Sequence, residues 1–229
     1  MTMRLGLTST PDRIDVLTVE AARLDFDAVP LPCIRVDVTP GGVASLAAAV
    51  SDADVLVITS ARTVEILGSA GLPQLPIVAV GPATANAVED AGGDVVWTGS
   101  DGIRRLADEA QGLLVDRRII VAGASNTASE SVEQLGRTAR SIVSVPLYVT
   151  VPVAPADDPV DAVIFGSPTA VVGWLMSREL SHLMIGAIGG TTAAALRERG
   201  VEPDVVPEGP GFTNTIEGMA ARRLERSAP

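Results

Sequence analysis

The sequence predicts an α/β protein of two similar lobes, each a parallel sheet with helices on both faces. Three observations carry this. The first is a repeat. Residues 54–67 read DVLVITSARTVEIL and residues 161–175 read DAVIFGSPTAVVGWL. Further along, IVAVGPATANAVEDAGGDVV (77–96) is matched by IGAIGGTTAAALRERGVEPDVV (185–206). Each copy is an apolar strand, a turn of small hydroxyl residues and a helix, then a second strand and a glycine-bearing turn into a second helix. Repeated supersecondary units imply related lobes. The second observation is composition. Apolar residues make up 47% of the chain and aromatics only 3%, so the core is built from Val, Leu, Ile and Ala, which suits strands buried on both faces. The third is the alternation of strand and helix along the chain, which specifies a parallel sheet between helical layers.

The elements follow in order. RLGLTST (4–10) is a strand ending in hydroxyl residues, and a helix over about 12–26 comes next. LPCIRVDV (31–38) alternates, with Ile34, Val36 and Val38 on one face and Arg35 and Asp37 on the other. The glycine pair at 41–42 reads as a linker. Short strands at 54–59, 77–80 and 94–97 enclose helices of about 61–70 and 83–91. A helix over about 102–114 carries Ile103, Leu106, Ala110 and Leu113 at helical spacing. RRIIVAG (117–123) leads to a helix of about 127–139. In VSVPLYVTVPV (143–153) the valines and Leu147 share one face, and Ser144, Tyr148 and Thr150 the other. Pro146 and Pro152 lack the N–H of a central strand, which places this ribbon on a sheet edge. It resembles VPLPCIRVDV in the first half, and the two read as connectors running side by side. Strands at 161–165, 185–188 and 203–206 then alternate with helices of about 168–179, 191–199 and 213–226. If both connectors cross between lobes, residues 1–33 plus 153–229 form a discontinuous first lobe. Residues 38–147 then form an inserted second lobe, with linkers at about 34–37 and 148–152. A division near residue 115 is the alternative.

Composition narrows the function. The net charge is −11, which argues against a nucleic-acid partner, because phosphate binding rests on clustered positive charge. No apolar run reaches the ~20 residues of a membrane span, and MTMRLGLTST lacks the apolar core and cleavage site of a signal peptide. A cytoplasmic location is expected. One cysteine, Cys33, permits neither an internal disulfide nor a cysteine zinc site. The one histidine, His182, lies late on a predicted helix and reads as a helix-end residue. No G-x-S-x-G elbow accompanies it, so a Ser–His–Asp triad is not indicated. All seventeen basic residues are arginine, which excludes lysine Schiff-base chemistry and a standard P-loop. Neither a cofactor nor a metal is expected.

The turns at strand ends are the candidate chemistry. Ser60 and Ser167 each follow an apolar strand and open a helix, and capping alone accounts for a serine there. Gly81-Pro82-Ala83-Thr84 and Gly189-Gly190-Thr191-Thr192 sit at the same kind of junction. Glycine permits close approach of backbone, and Pro82 fits a first helical turn. Helix N-termini offer free N–H groups and a partial positive charge, each favouring an anion by ~0.3–1 kcal/mol. Ligands of open parallel sheets bind beyond the carboxyl ends of the strands. Several such turns facing one cleft make a carboxylate- or phosphate-binding surface without lysine. No G-x-G-x-x-G follows a strand, so a dinucleotide is not expected. Arg62, just inside the helix after Ser60, is the arginine best placed to meet an anion, with a solvated helix arginine as the alternative. Tyr148 is the only tyrosine. It is either a half-buried structural ring or a phenol that donates a hydrogen bond or proton.

TSARTV (59–64), GPATANAV (81–88), VPLY (145–148), GSPTAV (166–171) and above all AIGGTTAAALRERGVEPDVVPEGP (187–210) resemble the uroporphyrinogen-III synthase family. The resemblance runs from Arg4 to about Ala220. It implies two flavodoxin-like lobes joined by a two-stranded β-ladder. It implies a cyclising lyase without cofactor, acting on hydroxymethylbilane, a linear tetrapyrrole with acetate and propionate arms. The bilane loses its hydroxyl as water and closes with inversion of ring D, giving uroporphyrinogen III for tetrapyrrole synthesis. Uncontrolled closure gives the wrong isomer, so positioning is much of the catalysis. The resemblance implies Tyr148 and Thr192 as catalytic residues. It implies Ser60, Thr84, Ser167 and Thr191 as substrate-binding positions, and the reading of the helix starts adds Arg62, Gly81, Ala83, Gly189 and Gly190. A monomer is expected, with transfer of the substrate from porphobilinogen deaminase. Two turns depart from the family pattern. Ser9 and Thr10 replace an arginine after the first strand, and Ala122-Gly123-Ala124-Ser125 replaces an Arg-Gly loop; Arg13, Arg62 and Arg178 are the candidates to compensate. A non-catalytic, regulatory relative that binds anions or tetrapyrroles is the alternative reading.

Overall fold

The structure is a computed structural model that describes residues 2–100, 102–127 and 129–227. In chain order it runs β1 (Met3–Leu7), α1 (Pro11–Arg23), β2 (Phe26–Pro30), β3 (Ile34–Val38), α2 (Gly42–Val50), β4 (Val55–Ile58) and α3 (Ala61–Leu67). A 3-10 turn (Gly68–Ala70) precedes β5 (Ile77–Ala79), α4 (Pro82–Asp90), β6 (Val95–Thr98), α5 (Gly102–Glu109), α6 (Gln111–Leu114) and β7 (Arg118–Ala124). Then come α7 (Ser129–Gly136), β8 (Ser141–Pro152), β9 (Ala162–Phe165), α8 (Pro168–Leu175), β10 (Met184–Ala187), α9 (Gly190–Arg197) and α10 (Phe212–Ser227). Two compact units result: Met1–Val36 with Val151–Pro229, and Asp37–Thr150. We refer to them as unit 1 and unit 2.

Unit 1 holds a parallel sheet of order β10-β9-β1-β2. Its strands β9 and β10 are buried at every position and carry no polar side chain, because both faces are covered. In β9, Ala162 and Ile164 face the cluster with Leu5, Leu7, Ile14, Leu17 and Met219. Val163 and Phe165 face the opposite cluster with Trp174, Ile185 and Leu196. The rings of Phe165 and Trp174 meet edge to face at 5.8 Å. Unit 2 holds a six-stranded sheet of order β3-β8-β7-β4-β5-β6. Its ladders from β8 through β6 are parallel. β3 runs against β8: Thr39 N–H donates to Leu147 O at 2.8 Å, while Val153 N–H donates to Cys33 O at 2.9 Å.

The structure corrects several expectations. The ribbon around Tyr148 is not an edge, since β8 lies between β3 and β7. Pro146 adjoins a bulge, and Pro152 lies beyond the end of the ladder with β7. Gly123 faces Pro146, but the next residue, Ala124, faces Tyr148, so β8 carries one extra residue at Leu147. A bulge is where a sheet interior tolerates a missing N–H. It also breaks the alternation, because an extra residue turns the rest of the strand to the other face. Leu147 and Tyr148 are consecutive and both buried. The first helix stops at Arg23, and the chain turns through Asp25 at φ 56° into β2, which the sequence reading missed. LPCIRVDV is a strand only from Ile34; Leu31 and Cys33 instead donate to the carbonyls of Leu7 and Thr8, because Pro30 and Pro32 cannot sustain a ladder. Gly42 opens the alanine-rich α2 and is not a linker. The helix expected over 102–114 breaks at Ala110, with φ −103° and ψ 18°. The helix expected to 179 ends at Leu175, and His182 sits in an exposed turn with φ 67°. The strand expected at 203–206 is one bridge, Gly186 to Val205, hemmed in by Pro203 and Pro207.

Candidate active site

In unit 2 the carboxyl ends of β4, β7 and β8 bring hydroxyl groups together. Ser60 caps α3, and its oxygen accepts the Arg62 N–H at 3.1 Å. Tyr148 shares a side-chain hydrogen bond with Ser60, and its carbonyl accepts the Ser125 N–H at 2.7 Å. Only 6% of Tyr148 is exposed. Burial pushes its phenol above the ordinary value of 10.0; the Ser60 hydrogen bond and the Arg62 charge pull the other way, and Glu65 pushes it up. Through the neutral range the phenol therefore holds its proton. Arg62 pairs with Glu65 at 2.7 Å, so its charge is partly matched. Thr59 presses on β7: a Cβ at Gly123 would run straight into its hydroxyl. Only glycine lets the two strand ends close so tightly. Beside this, a cavity of about 300 Å3 is lined by Gly123, Ser125, Thr127, Glu133 and Ser144.

The second glycine turn of unit 2 is partly closed on itself. Gly81 caps α4, and its carbonyl takes the N–H groups of both Thr84 and Ala85 at 3.0 Å. Pro82 has no N–H, so Ala83 carries the first-turn amide without an intrahelical acceptor. Ala83 is exposed, whereas Thr84 is buried.

In unit 1 the ends of β1, β9 and β10 lie side by side. Thr8 donates to Ile164 O at 2.7 Å, tying the turn after β1 to β9. Ser9 and Thr10 are buried beside it. Ser167 caps α8 by accepting the Ala170 N–H at 3.1 Å. At α9, Gly189 is fully extended, and the first amide taken up within the helix is that of Ala193, which donates to Gly189 O at 3.0 Å. The N–H groups of Gly190, Thr191 and Thr192 therefore lack intrahelical acceptors. Gly190 and Thr191 are exposed, and Thr192 is buried, with 3% of it exposed.

Ser60, Arg62 and Tyr148 thus meet in unit 2, with Gly81, Ala83 and Thr84 at the neighbouring helix start. Ser167 and the run Gly189–Thr192 occupy neighbouring strand ends in unit 1. The proposed compensating arginines are otherwise engaged. Arg178 stacks 4.4 Å over Trp174 and donates to Ala156 O at 2.9 Å. Arg13 lies 5.6 Å over Phe212. The sequence reading missed the Thr59–Gly123 contact and Thr63, whose buried hydroxyl lacks a partner. A glycine inside a strand was the available signal for the first. Among the described residues, no three His, Cys, Asp or Glu side chains gather as a metal site requires.

A family model described as uroporphyrinogen-III synthase HemD matches residues 15–219. Among solved structures, a mutant uroporphyrinogen III synthase from the extremely thermophilic bacterium Thermus thermophilus is 21% identical, covers 98% of this chain and 99% of its own, and gives a TM-score of 0.69. The wild-type Thermus enzyme in a second crystal form is 20% identical over 99% and 100%, with a TM-score of 0.57. Uroporphyrinogen-III synthetase from Helicobacter pylori is 16% identical over 99% of each chain, with a TM-score of 0.63. Likeness at such identities is a likeness of fold, and it agrees with the α/β class and two parallel sheets read from the sequence. No curated protein sequence matches significantly.

Proposed function

The chain belongs to the uroporphyrinogen-III synthase family, and we propose that Tyr148 and the strand-end turns of its units carry the family's reaction. The enzyme is a cyclising lyase of tetrapyrrole synthesis. It takes hydroxymethylbilane, removes the hydroxyl as water, and closes the macrocycle with ring D inverted.

The observation that carries the site reading is the state of Tyr148. The chain's one phenol sits on a bulge, buried against a serine hydroxyl, and keeps its proton at neutral pH. Loss of the hydroxyl breaks a C–O bond and needs a proton on the departing oxygen. Tyr148 supplies it as the pyrrole nitrogen's electrons expel water. Ring closure ends by releasing a proton, which the phenolate takes back, so the residue returns unchanged. Ser60 holds the phenol and stabilises the transient phenolate. Thr192 orients the reacting end of the bilane. The amides of Gly190, Thr191 and Ala83, together with Gly81, Thr84, Ser167, Gly189 and Arg62, take the acetate and propionate arms. Backbone donors suit this task on a chain of net charge −11, because helix starts attract carboxylates without added lysine.

We further propose that the protein acts as a monomer in the cytoplasm and receives the bilane as porphobilinogen deaminase releases it. Among the described residues no helix is long and apolar enough to cross a membrane. Competing uncatalysed closure favours rapid transfer. The test is to incubate the protein with porphobilinogen deaminase and porphobilinogen, oxidise the products and resolve the isomers. Isomer III is expected to dominate. Isomer I at the level of the enzyme-free control overturns the reading.

A further inference from the structure

We propose that Pro210-Gly211-Phe212, at the start of α10, is a brace that sets the positions of both substrate turns of unit 1, with Phe212 as a positioning residue. This rests on the reading of Ser167 and Gly189–Thr192 as substrate turns. Those turns end neighbouring strands, and these three consecutive residues touch both. Gly211 N–H donates to Ile188 O at 2.9 Å, immediately before Gly189. Pro210 lies against Gly189 itself: a Cβ there would stand 3.2 Å from the proline's Cβ. The Phe212 ring turns the other way and ends on Gly166, the residue before Ser167. A Cβ on Gly166 would collide with ring Cζ and stand 3.0 Å from Cε2.

The brace is itself held. Gly211 has φ 145°, a conformation that a side chain opposes. Thr215 clamps its carbonyl with both the side-chain hydroxyl, at 2.6 Å, and the backbone N–H, at 3.2 Å. Asn214 donates to Gly209 O at 2.7 Å. The ring is 7% exposed; the Arg13 guanidinium lies 5.6 Å from its centroid, and an open pocket of about 500 Å3 lies on that side. A ring packed directly onto backbone transmits a displacement, where a flexible side chain would absorb it. Misplacing reacting groups by about 1 Å costs on the order of a hundredfold in rate, so a brace of this kind governs turnover.

Two single substitutions and their combination test this with deaminase-generated bilane as substrate, each variant first shown to be folded by circular dichroism. Gly166→Ala drives a methyl into the ring and is expected to lower kcat/KM for isomer III by about 10–100-fold, largely through kcat. Phe212→Leu cannot clash; it loosens the brace and is expected to lower kcat/KM by about fivefold. Gly166→Ala with Phe212→Leu supplies the methyl where the ring end is gone, and it recovers to the level of Phe212→Leu or above. A double variant as slow as Gly166→Ala, or wild-type kcat/KM in folded single variants, overturns the brace. If Gly166→Ala does not fold, wild-type kcat/KM in Phe212→Leu overturns it alone. Thr192→Val separates the inference from its premise. Wild-type turnover in Thr192→Val removes the turn from the substrate and the brace falls with it. Impairment of Thr192→Val beside unaffected Gly166→Ala and Phe212→Leu refutes only the brace.

Discussion

Replacing Tyr148 with phenylalanine removes one hydroxyl and leaves the ring's packing in place. The ring is 6% exposed and the hydroxyl's partner is Ser60. Ser60 still accepts the Arg62 N–H at 3.1 Å, so no oxygen is stranded by the change. Losing one neutral hydrogen bond costs about 1 kcal/mol of stability, which lowers Tm by about 2–4 °C in a chain of this length. A fold with as little as about 5 kcal/mol in hand stays about 99.9% folded after that loss. Removing an acid that protonates a leaving group costs about 10²–10⁴ in rate. The structural and catalytic roles of the phenol therefore predict effects that differ by orders of magnitude. The assay is kcat/KM for isomer III beside a thermal melt of the same preparation. We expect a drop of about a hundredfold or more with Tm within about 4 °C of the parent. A folded Tyr148→Phe protein with unchanged kcat/KM refutes the proton-donor role. So does a loss of activity that only tracks a loss of fold.

Two further outcomes are expected from two buried groups, Thr63 and Cys33. Thr63→Val exchanges a hydroxyl without a partner for a methyl of the same shape, and should raise stability by about 1–2 kcal/mol, read as a higher Tm. Cys33 has its thiol pushed up to about 12 by burial, with the Arg178 charge opposing. Below the ordinary value of 9.0 the native and unfolded chains carry the same neutral thiol; between 9.0 and about 12 only the unfolded chain ionises, so stability falls as pH rises there. A thiol-exchange reagent at pH 8 should accordingly find no reactive sulfur in the native protein and one in the denatured chain.

The α/β class was legible because several core strands are apolar at every position. VLVI at 55–58 and AVIF at 162–165 are buried on both faces, and such runs have no rival reading once helices follow them. The helix-starting serines were legible for the same reason, as Ser60 and Ser167 do cap. β2 was illegible because Asp27 and Pro30 interrupt a strand of five residues, and local pattern favoured extending the helix. The misplacement of β8 has a sharper cause. Two prolines argued for an edge, but Pro146 sits beside a one-residue bulge and Pro152 lies past the end of the β7 ladder, and both features depend on the partner strand. The same bulge buries Tyr148 on a face that strict alternation assigned to half-exposed residues. The link from Phe212 to Gly166 joins residues 46 apart through a side chain ending on backbone, a contact that no periodicity announces.

The interrupted course of unit 1 dictates an order of events during synthesis. β1 lies inside its sheet, between β2 and β9, yet Arg4 meets its partner Asp161 across 157 residues of chain. As the chain leaves the ribosome, β1 and β2 emerge first and wait with an open edge, while the whole of unit 2 is made and can fold in the meantime. Closing an unstructured loop of about 110 residues would cost about 4 kcal/mol of entropy. A folded unit 2 avoids that, because β3 and β8 are paired and bring residues 36 and 151 to one place. The antiparallel pair is thus the nascent chain's own splint: once it zips, the waiting N-terminal segment of β1, α1 and β2 is delivered to β9 as that strand appears.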